Sequence, residues 1–395
     1  MPRKKPSENL PHALLAWAHR HREEMLRWIG RAVEIESPSF TKAAVDQMGE
    51  FLATEFVAAG GKVQIHRHAD AGNHVQVDFL PNRSSANSHK PILLVGHHDT
   101  VWELGTLSKM PFRIANGRLW GPGTLDMKTG LAQIVFAIRA LQQMSGGIPR
   151  PVTVLSVTDE EIGSHSSRAL TEQLAKKSAA VLVLEPAQGL QGALKTARKG
   201  VGEYRLRVRG KAAHAGVDFP AGGSAIVELS KQIQKISGFT NLEQGITVNP
   251  GVISGGTRTN VVAAEAEVRI DVRILRASQA KPLEKKLHNL KPFDKRCRLE
   301  LSGGLNRPPM ERSRAGVALF AKAQALAAAT DARGWKLKET STGGASDGNF
   351  TAALGIPTLD GLGAVGEGAH AAHESVLIAE LPRRTALLAA LIAEI

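Results

Sequence analysis

The sequence predicts an α/β fold, a mostly parallel central sheet flanked by helices, with a smaller α+β unit inserted into it. Three observations carry this. Short unbroken apolar runs, Leu93-Leu94-Val95, Val152–Val157 and Val181–Leu184, are separated by helical patterns, as buried parallel strands are. Each run stops in ligand-type side chains: His97-His98-Asp99 after the first, Asp159-Glu160-Glu161 after the second, Glu185-Pro186 after the third. From about Gly200 the texture changes to strands with one apolar and one polar face, which marks the second unit.

Taken in order, Leu10 to about Ile35 has helical spacing (Leu14, Leu15, Met25, Ile29, Val33), and Ser37-Pro38-Ser39 stops it. Ala43 to about Ala59 reads as a second helix closed by Gly60-Gly61. Strands at Lys62–His66 and Val75–Phe79 lead through a Ser/Asn-rich loop, 83–90, to the central strand. Gly121-Pro122-Gly123 forces a turn before Asp126, and an apolar helix begins at Leu131. Asp126 near that helix start suits either an N-cap or a ligand.

The inserted unit, 200–308, shows Tyr204, Leu206 and Val208 alternating with Arg205, Arg207 and Arg209. A helix with Ile226, Leu229, Ile233 and Ile236 follows, then strands Thr247–Ile253 and Ala264–Ile274, a helix Ser278–Leu290 and a strand Arg298–Ser302. That order is βαββαβ, the ferredoxin-like unit. Residues 1–199 and 309–395 form the main domain, which ends with an Ala-rich helix (Gly316–Ala329), a strand near Ile356–Leu359 and a helix over 379–395.

The net charge of +13, from 50 Lys+Arg against 37 Asp+Glu, raises the question of nucleic acid. The basic residues are scattered, and no helix-turn-helix, zinc-finger or aromatic stacking pattern accompanies them, so no nucleic-acid partner is expected. A positive field suits substrates that carry carboxylates. The single Cys297 excludes an internal disulfide and a thiolate-rich zinc site and fits a reducing compartment. Met1-Pro2-Arg3-Lys4-Lys5-Pro6 is basic, but no adequate apolar signal region follows and no run approaches membrane-span length, so a cytoplasmic protein with no membrane partner is expected.

In an extended chain residues i and i+2 face the same way, so His97 and Asp99 point together while His98 points away. A ligating imidazole whose second nitrogen is held by a carboxylate has this geometry. Glu160 and Glu161 are neighbours and diverge, so one is free to ligate and the other to act as base. In open parallel sheets ligands bind beyond the carboxyl ends of the strands. Oxygen-rich ligands with a few imidazoles suit zinc or a similar divalent ion, and the expected activity is metal-dependent hydrolysis. His98 and His373 are expected beside the site or exposed, and Cys297 in packing.

Five segments together resemble one family across nearly the whole chain: Gly-His-His-Asp-Thr-Val (96–101), Gly-Pro-Gly-Thr-Leu-Asp-Met-Lys (121–128), Thr-Asp-Glu-Glu-Ile-Gly-Ser (158–164), Lys-Ala-Ala-His-Ala-Gly (211–216) and His370-x-x-x-Glu374. They are similar to the markers of the zinc-dependent peptidases and deacylases that include glutamate carboxypeptidases, acetylornithine deacetylase, succinyl-diaminopimelate desuccinylase and aminoacylases, the bacterial glutamate carboxypeptidase branch above all. The resemblance implies two Zn²⁺ ions per subunit, with Co²⁺ or Mn²⁺ as substitutes. Asp126 bridges them, His97 and Glu185 complete one, and Glu161 and His370 the other. It implies Glu160 as general base, Asp99 as the group orienting His97, and the inserted domain as a lid and homodimerisation domain. That domain lends His214, Asn260 and Arg273 to the substrate, and Gly344 joins them. The implied reaction is cleavage of an amide next to a carboxylate-bearing amino acid in a small peptide; the alternatives are an N-acyl amino acid deacylase without peptidase action and a non-catalytic metal-binding homologue. One departure bears on specificity. Ser341 precedes Thr342-Gly343-Gly344-Ala345-Ser346-Asp347, where the glutamate carboxypeptidase branch tends to carry Arg.

Overall fold

The computed structural model describes residues 10–81, 89–331 and 334–395; the basic first six residues and most of the loop at 83–90 lie outside that range. The helix expected from Leu10 to Ile35 is two helices, α1 (Leu10–Arg20) and α2 (Arg22–Val33). They part at His21, whose ring stacks on Trp17 at 3.8 Å and hydrogen-bonds its carbonyl oxygen at 2.9 Å. The i→i−4 bonds His21 N to Trp17 O (3.1 Å) and Met25 N to His21 O (3.0 Å) persist across the break, and it is the backbone of His21, at φ −99° and ψ 10°, that leaves the helical region. α3 (Lys42–Ala58), β1 (Lys62–His66), β2 (His74–Phe79) and β3 (Ile92–His97) follow. Next come β4 (Arg113–Ala115), β5 (Arg118–Trp120), α4 (Thr129–Met144), β6 (Val152–Val157), α5 (Arg168–Lys177), β7 (Ala180–Val183) and β8 (Leu194–Arg198).

The inserted elements are β9 (Gly200–Arg209), α6 (Ala225–Ser237), β10 (Thr247–Gly255), β11 (Glu265–Ile274), α7 (Ala280–His288) and β12 (Arg298–Arg307). The chain then adds α8 (Arg314–Thr330), β13 (Glu339–Thr342), α9 (Gly348–Ala353), β14 (Thr358–Leu359), β15 (Gly366–Glu367), β16 (Ser375–Leu377) and α10 (Leu381–Glu394). Two compact units result. One runs to Ala197 and resumes at Arg312–Thr342 and Ser346–Ile395; the other is Arg198–Glu311 with Gly343–Ala345.

In the first unit the main sheet has the order β1-β2-β6-β3-β7-β14. β6, β3, β7 and β14 run parallel, and β2 and β1 close one edge antiparallel. Ile92 and Leu94 pack into one apolar cluster with α1, α4 and α10, whereas Leu93 and Val95 pack into another on the opposite face. Burial of both faces is why these strands are unbroken apolar runs. A small sheet, β15-β16-β5-β4, was not foreseen; its strands are two or three residues long, too short for periodicity to register.

In the second unit the four strands pair antiparallel in the order β10-β11-β9-β12, the ferredoxin-like arrangement. Tyr204, Leu206 and Val208 are buried with Leu229, Ile236, Leu283 and Leu287 of the two helices. The alternate Arg205 and Arg207 pair with Glu267, and Arg209 with Glu265 and Glu300, on the face without helices.

Candidate metal centre

β3 delivers His97 at its carboxyl end, fully buried between parallel neighbours. Its Nδ1 lies 3.4 Å from Asp99 Oδ1 and 3.0 Å from the Asp99 carbonyl oxygen, so the ring is held from one side. Nε2 faces Asp126 Oδ1 at 3.1 Å and Glu185 Oε1 at 3.6 Å. Glu185 arrives just past the end of β7. Asp126 stands in an irregular turn between β5 and α4, with extended φ/ψ of −116° and 93° and a cis bond to Met127. Lys128 precedes α4 and no side chain caps it, so the N-cap reading of Asp126 does not hold. Across Asp126, His370 Nε2 sits 3.4 Å from Oδ2 and 3.2 Å from Glu161 Oε2. Asp126 thus carries one imidazole on each oxygen. Glu160 and Glu161 open a short 3₁₀ turn after β6, and both backbone N–H groups donate to Asp99, at 3.4 and 3.2 Å.

Two overlapping sets of ligand atoms lie within 4.8 Å of one another: His97, Glu160 and Glu185, and His97, Asp126 and Glu161. Burial works against charge on His97, yet its hydrogen bonds to Asp126 and Asp99 hold it well above the ordinary imidazole range. Hydrogen bonds to Asp126 and Glu161 push His370 up to about 10. Burial opposes the Asp126 carboxylate, but the two imidazoles hold its pKa well below the carboxylate range. Three carboxylates facing two imidazole nitrogens at 3.1 to 3.6 Å, with the imidazoles drawn toward their protonated forms, make a field for cations. Replacing those protons by divalent ions, with both imidazoles neutral, satisfies the same oxygens. The donor set fits a metal.

Two residues that the sequence reading left without a role support the centre. Ser39 Oγ donates to Asp99 Oδ2 at 2.7 Å. Glu374, buried, accepts from four donors: Leu125 N (2.8 Å) and Asp126 N (3.0 Å) at Oε1, Gly123 N (2.9 Å) and Trp102 Nε1 (2.8 Å) at Oε2. Burial, against these donated bonds, pushes its carboxyl up to about 7. Its place four residues after His370 was the available signal. His98 points away from the cluster, its Nδ1 2.8 Å from Ser156 Oγ, and burial lowers its pKa to about 3. His373 is exposed.

His214, Asn260, Arg273 and Gly344 lie in the second unit. His214 Nδ1 accepts from Gly216 N and Val217 N at 3.1 Å each, which leaves Nε2 as the donor of the neutral ring. The Asn260 carbonyl accepts from Ala215 N. Arg273 forks onto Asp271 at 2.8 to 3.0 Å, with Nη1 3.3 Å from the Gly343 oxygen. The Gly344 carbonyl accepts from buried Arg198 at 3.2 Å.

Ligand-type residues at the ends of parallel strands, gathered around one aspartate, define a metallohydrolase centre. The sequence profile of peptidase family M20/M25/M40 matches residues 93–394, and the chain belongs to that family. Carboxypeptidase G2 of Pseudomonas sp. (strain RS-16) is 30% identical over 376 residues, 94% of this chain and 89% of that protein. Acetylornithine deacetylase of Salmonella arizonae is 29% identical over 264 residues, 60% of this chain and 64% of that protein. The solved structure of aminopeptidase PepT from Bacillus cereus shares the fold with a TM-score of 0.77 at 24% identity, covering 94% of this chain and 98% of that one. The protein is a metal-dependent hydrolase acting on amide bonds.

Proposed function

We propose that this chain cleaves the amide bond next to a carboxylate-bearing amino acid, in a small peptide as a glutamate carboxypeptidase does, at a site holding two zinc ions per subunit. The observation that carries the reading is Asp126 with an imidazole on each oxygen, each imidazole also touching a glutamate. It supports His97, Asp126 and Glu185 as holders of one ion and Asp126, Glu161 and His370 as holders of the other. When bound, such ions polarise a carbonyl and acidify a water. Glu160 takes the proton of the attacking water and returns it to the leaving nitrogen. Asp99 keeps Nδ1 of His97 engaged, which leaves Nε2 as the atom that would hold an ion. His214 Nε2–H, contributed across a homodimer formed through the 200–308 domain, donates to the oxyanion. Arg273 grips the substrate carboxylate in exchange with Asp271, with Asn260 and Gly344 beside the substrate. The setting is the cytoplasm.

A second reading, an N-acyl amino acid deacylase without peptidase action, is favoured by the likeness to acetylornithine deacetylase and by Ser341 in place of a cation. The test is metal content together with hydrolysis of N-acyl and peptidyl amino acids ending in Glu, Asp, Ala and Leu. Two zincs and turnover are expected, and the ranking separates the two readings. Glu160→Ala should keep its metal and lose at least about 100-fold in kcat. An equally active variant would remove Glu160 from its role, and no metal after reconstitution would remove the centre.

A further inference from the structure

Within the first unit a cavity of about 480 Å³ opens beside Glu161, large enough for a small-molecule group. Pro38, Phe40, Val101, Leu104 and Ile162 form its apolar wall. Three of these stand in water: Phe40 is 87% exposed, Leu104 57% and Val101 41%. Large apolar side chains left together on one surface beside a reactive centre mark a surface that something apolar covers. The wall is also fixed to the centre. Ser39 N donates to the Thr100 carbonyl at 3.2 Å, Thr100 N to the Ser37 carbonyl at 2.8 Å, and Ser39 Oγ to Asp99 at 2.7 Å. The segment carrying Phe40 and the loop carrying Val101 and Leu104 are therefore stapled to each other and to the carboxylate that orients His97. The charged residues of the lining are Glu103 and Glu161, both acids. Glu161 is taken up by the proposed metal, and among the described lining residues no Lys or Arg stands ready to pair with a substrate carboxylate.

We propose that this cavity is the specificity subsite of the centre and accepts a branched or aromatic hydrocarbon group of the substrate, not an acidic one; the assignment rests on the amide-hydrolase reading above. The group is carried either by the acyl portion of an N-acyl amino acid or by a peptide side chain.

Metal-loaded Glu160→Ala protein allows binding to be read without turnover. Calorimetry compares N-acetyl-, N-isovaleryl- and N-benzoyl-alanine in one arm and Ala-Ala, Leu-Ala, Ala-Leu and Ala-Glu in the other. In the arm that fills the cavity, the branched or aromatic compound binds about 10-fold or more tighter than the smallest one. Adding Leu104→Asp or Phe40→Ala cuts that ratio to about 2-fold. Both side chains are solvent-exposed, and unchanged zinc content and thermal midpoint verify the fold. A flat series in both arms, or a ratio that neither substitution moves, overturns the subsite. Turnover of the same compounds by the unsubstituted chain judges the hydrolase reading separately: no turnover with the ratio intact overturns the reaction and leaves the binding assignment standing.

Discussion

Replacing Glu374 by Gln keeps the size of the side chain and changes the sign of one end. Each carboxylate oxygen accepts two bonds, Leu125 N and Asp126 N at one, Gly123 N and Trp102 Nε1 at the other. Whichever oxygen becomes an amide NH₂, two donors face a donor in a buried site. At about 1–3 kcal/mol for each buried group left without its partner, the loss is about 2–6 kcal/mol. With the NH₂ at the Oε1 place the change releases the backbone N–H of Asp126, the residue proposed to hold both ions; with it at the Oε2 place the change frees Gly123 N in the same turn. Loss of a supporting hydrogen bond behind a ligand typically costs about 10–100-fold in metal affinity. Urea unfolding of the metal-free protein reads the first quantity, and zinc competition with a chromophoric chelator reads the second. A variant within about 0.5 kcal/mol of the parent and equal in zinc affinity would refute the cradle as the device that sets Asp126.

Gly130→Ala places a Cβ 2.3 Å from the Leu184 carbonyl oxygen, a backbone atom that cannot swing aside. A loss of about 1–3 kcal/mol in chemical denaturation is expected, with weaker zinc binding because Leu184 precedes Glu185; unchanged zinc affinity would uncouple the two. Burial holds the His74 pKa below 6.5, with Thr158 Oγ1 and Ser166 Oγ at 3.1 and 3.2 Å. Below pH 6.5 the unfolded chain takes up a proton that the folded chain refuses, so stability is lost as pH falls through 6.5. His98 adds a loss of the same sign, so His74→Gln should reduce rather than abolish the slope in urea midpoints measured from pH 7 to 5, and an equal slope would acquit His74. Removing metal with a chelator should abolish turnover and lower the thermal midpoint, with zinc restoring both. At a thousandfold excess over Kd the restored stability is about 4 kcal/mol.

The parallel core was legible because strands buried on both faces must be apolar throughout, and helices α4 and α10 because they are long. The geometry of His97 and Asp99 followed from i, i+2 alternation, as did the turning of His98 to the other side; its complete burial there did not. The break at His21 was invisible because no helix-breaking residue marks it: the backbone of a histidine leaves the helical region while its ladder bonds persist. Ser39 read only as part of a helix stop, since its hydroxyl meets a carboxylate sixty positions away. The cradle around residues 123–126 was hidden for the same reason, its acceptor lying some 250 residues downstream. Local periodicity carries no record of such pairings. The fork of Arg273 on Asp271 is a different case: two residues apart on one strand, the pair was readable, and a substrate-facing role takes attention away from the nearest anion.

Helix α10 is buried on almost every side and packs against α1, α4 and α8. During synthesis, then, α1 and α4 emerge from the ribosome with their apolar surfaces uncovered and wait for more than two hundred further residues. The inserted ferredoxin-like unit, whose strands and helices are contiguous in sequence, can form in that interval. The first unit cannot cover α1 and α4 until α10 arrives. Nascent chains stalled before residue 370 lack both His370, a proposed metal holder, and the helix that covers α1, α4 and α8, so they present bare hydrophobic surface to the chaperones of the cell.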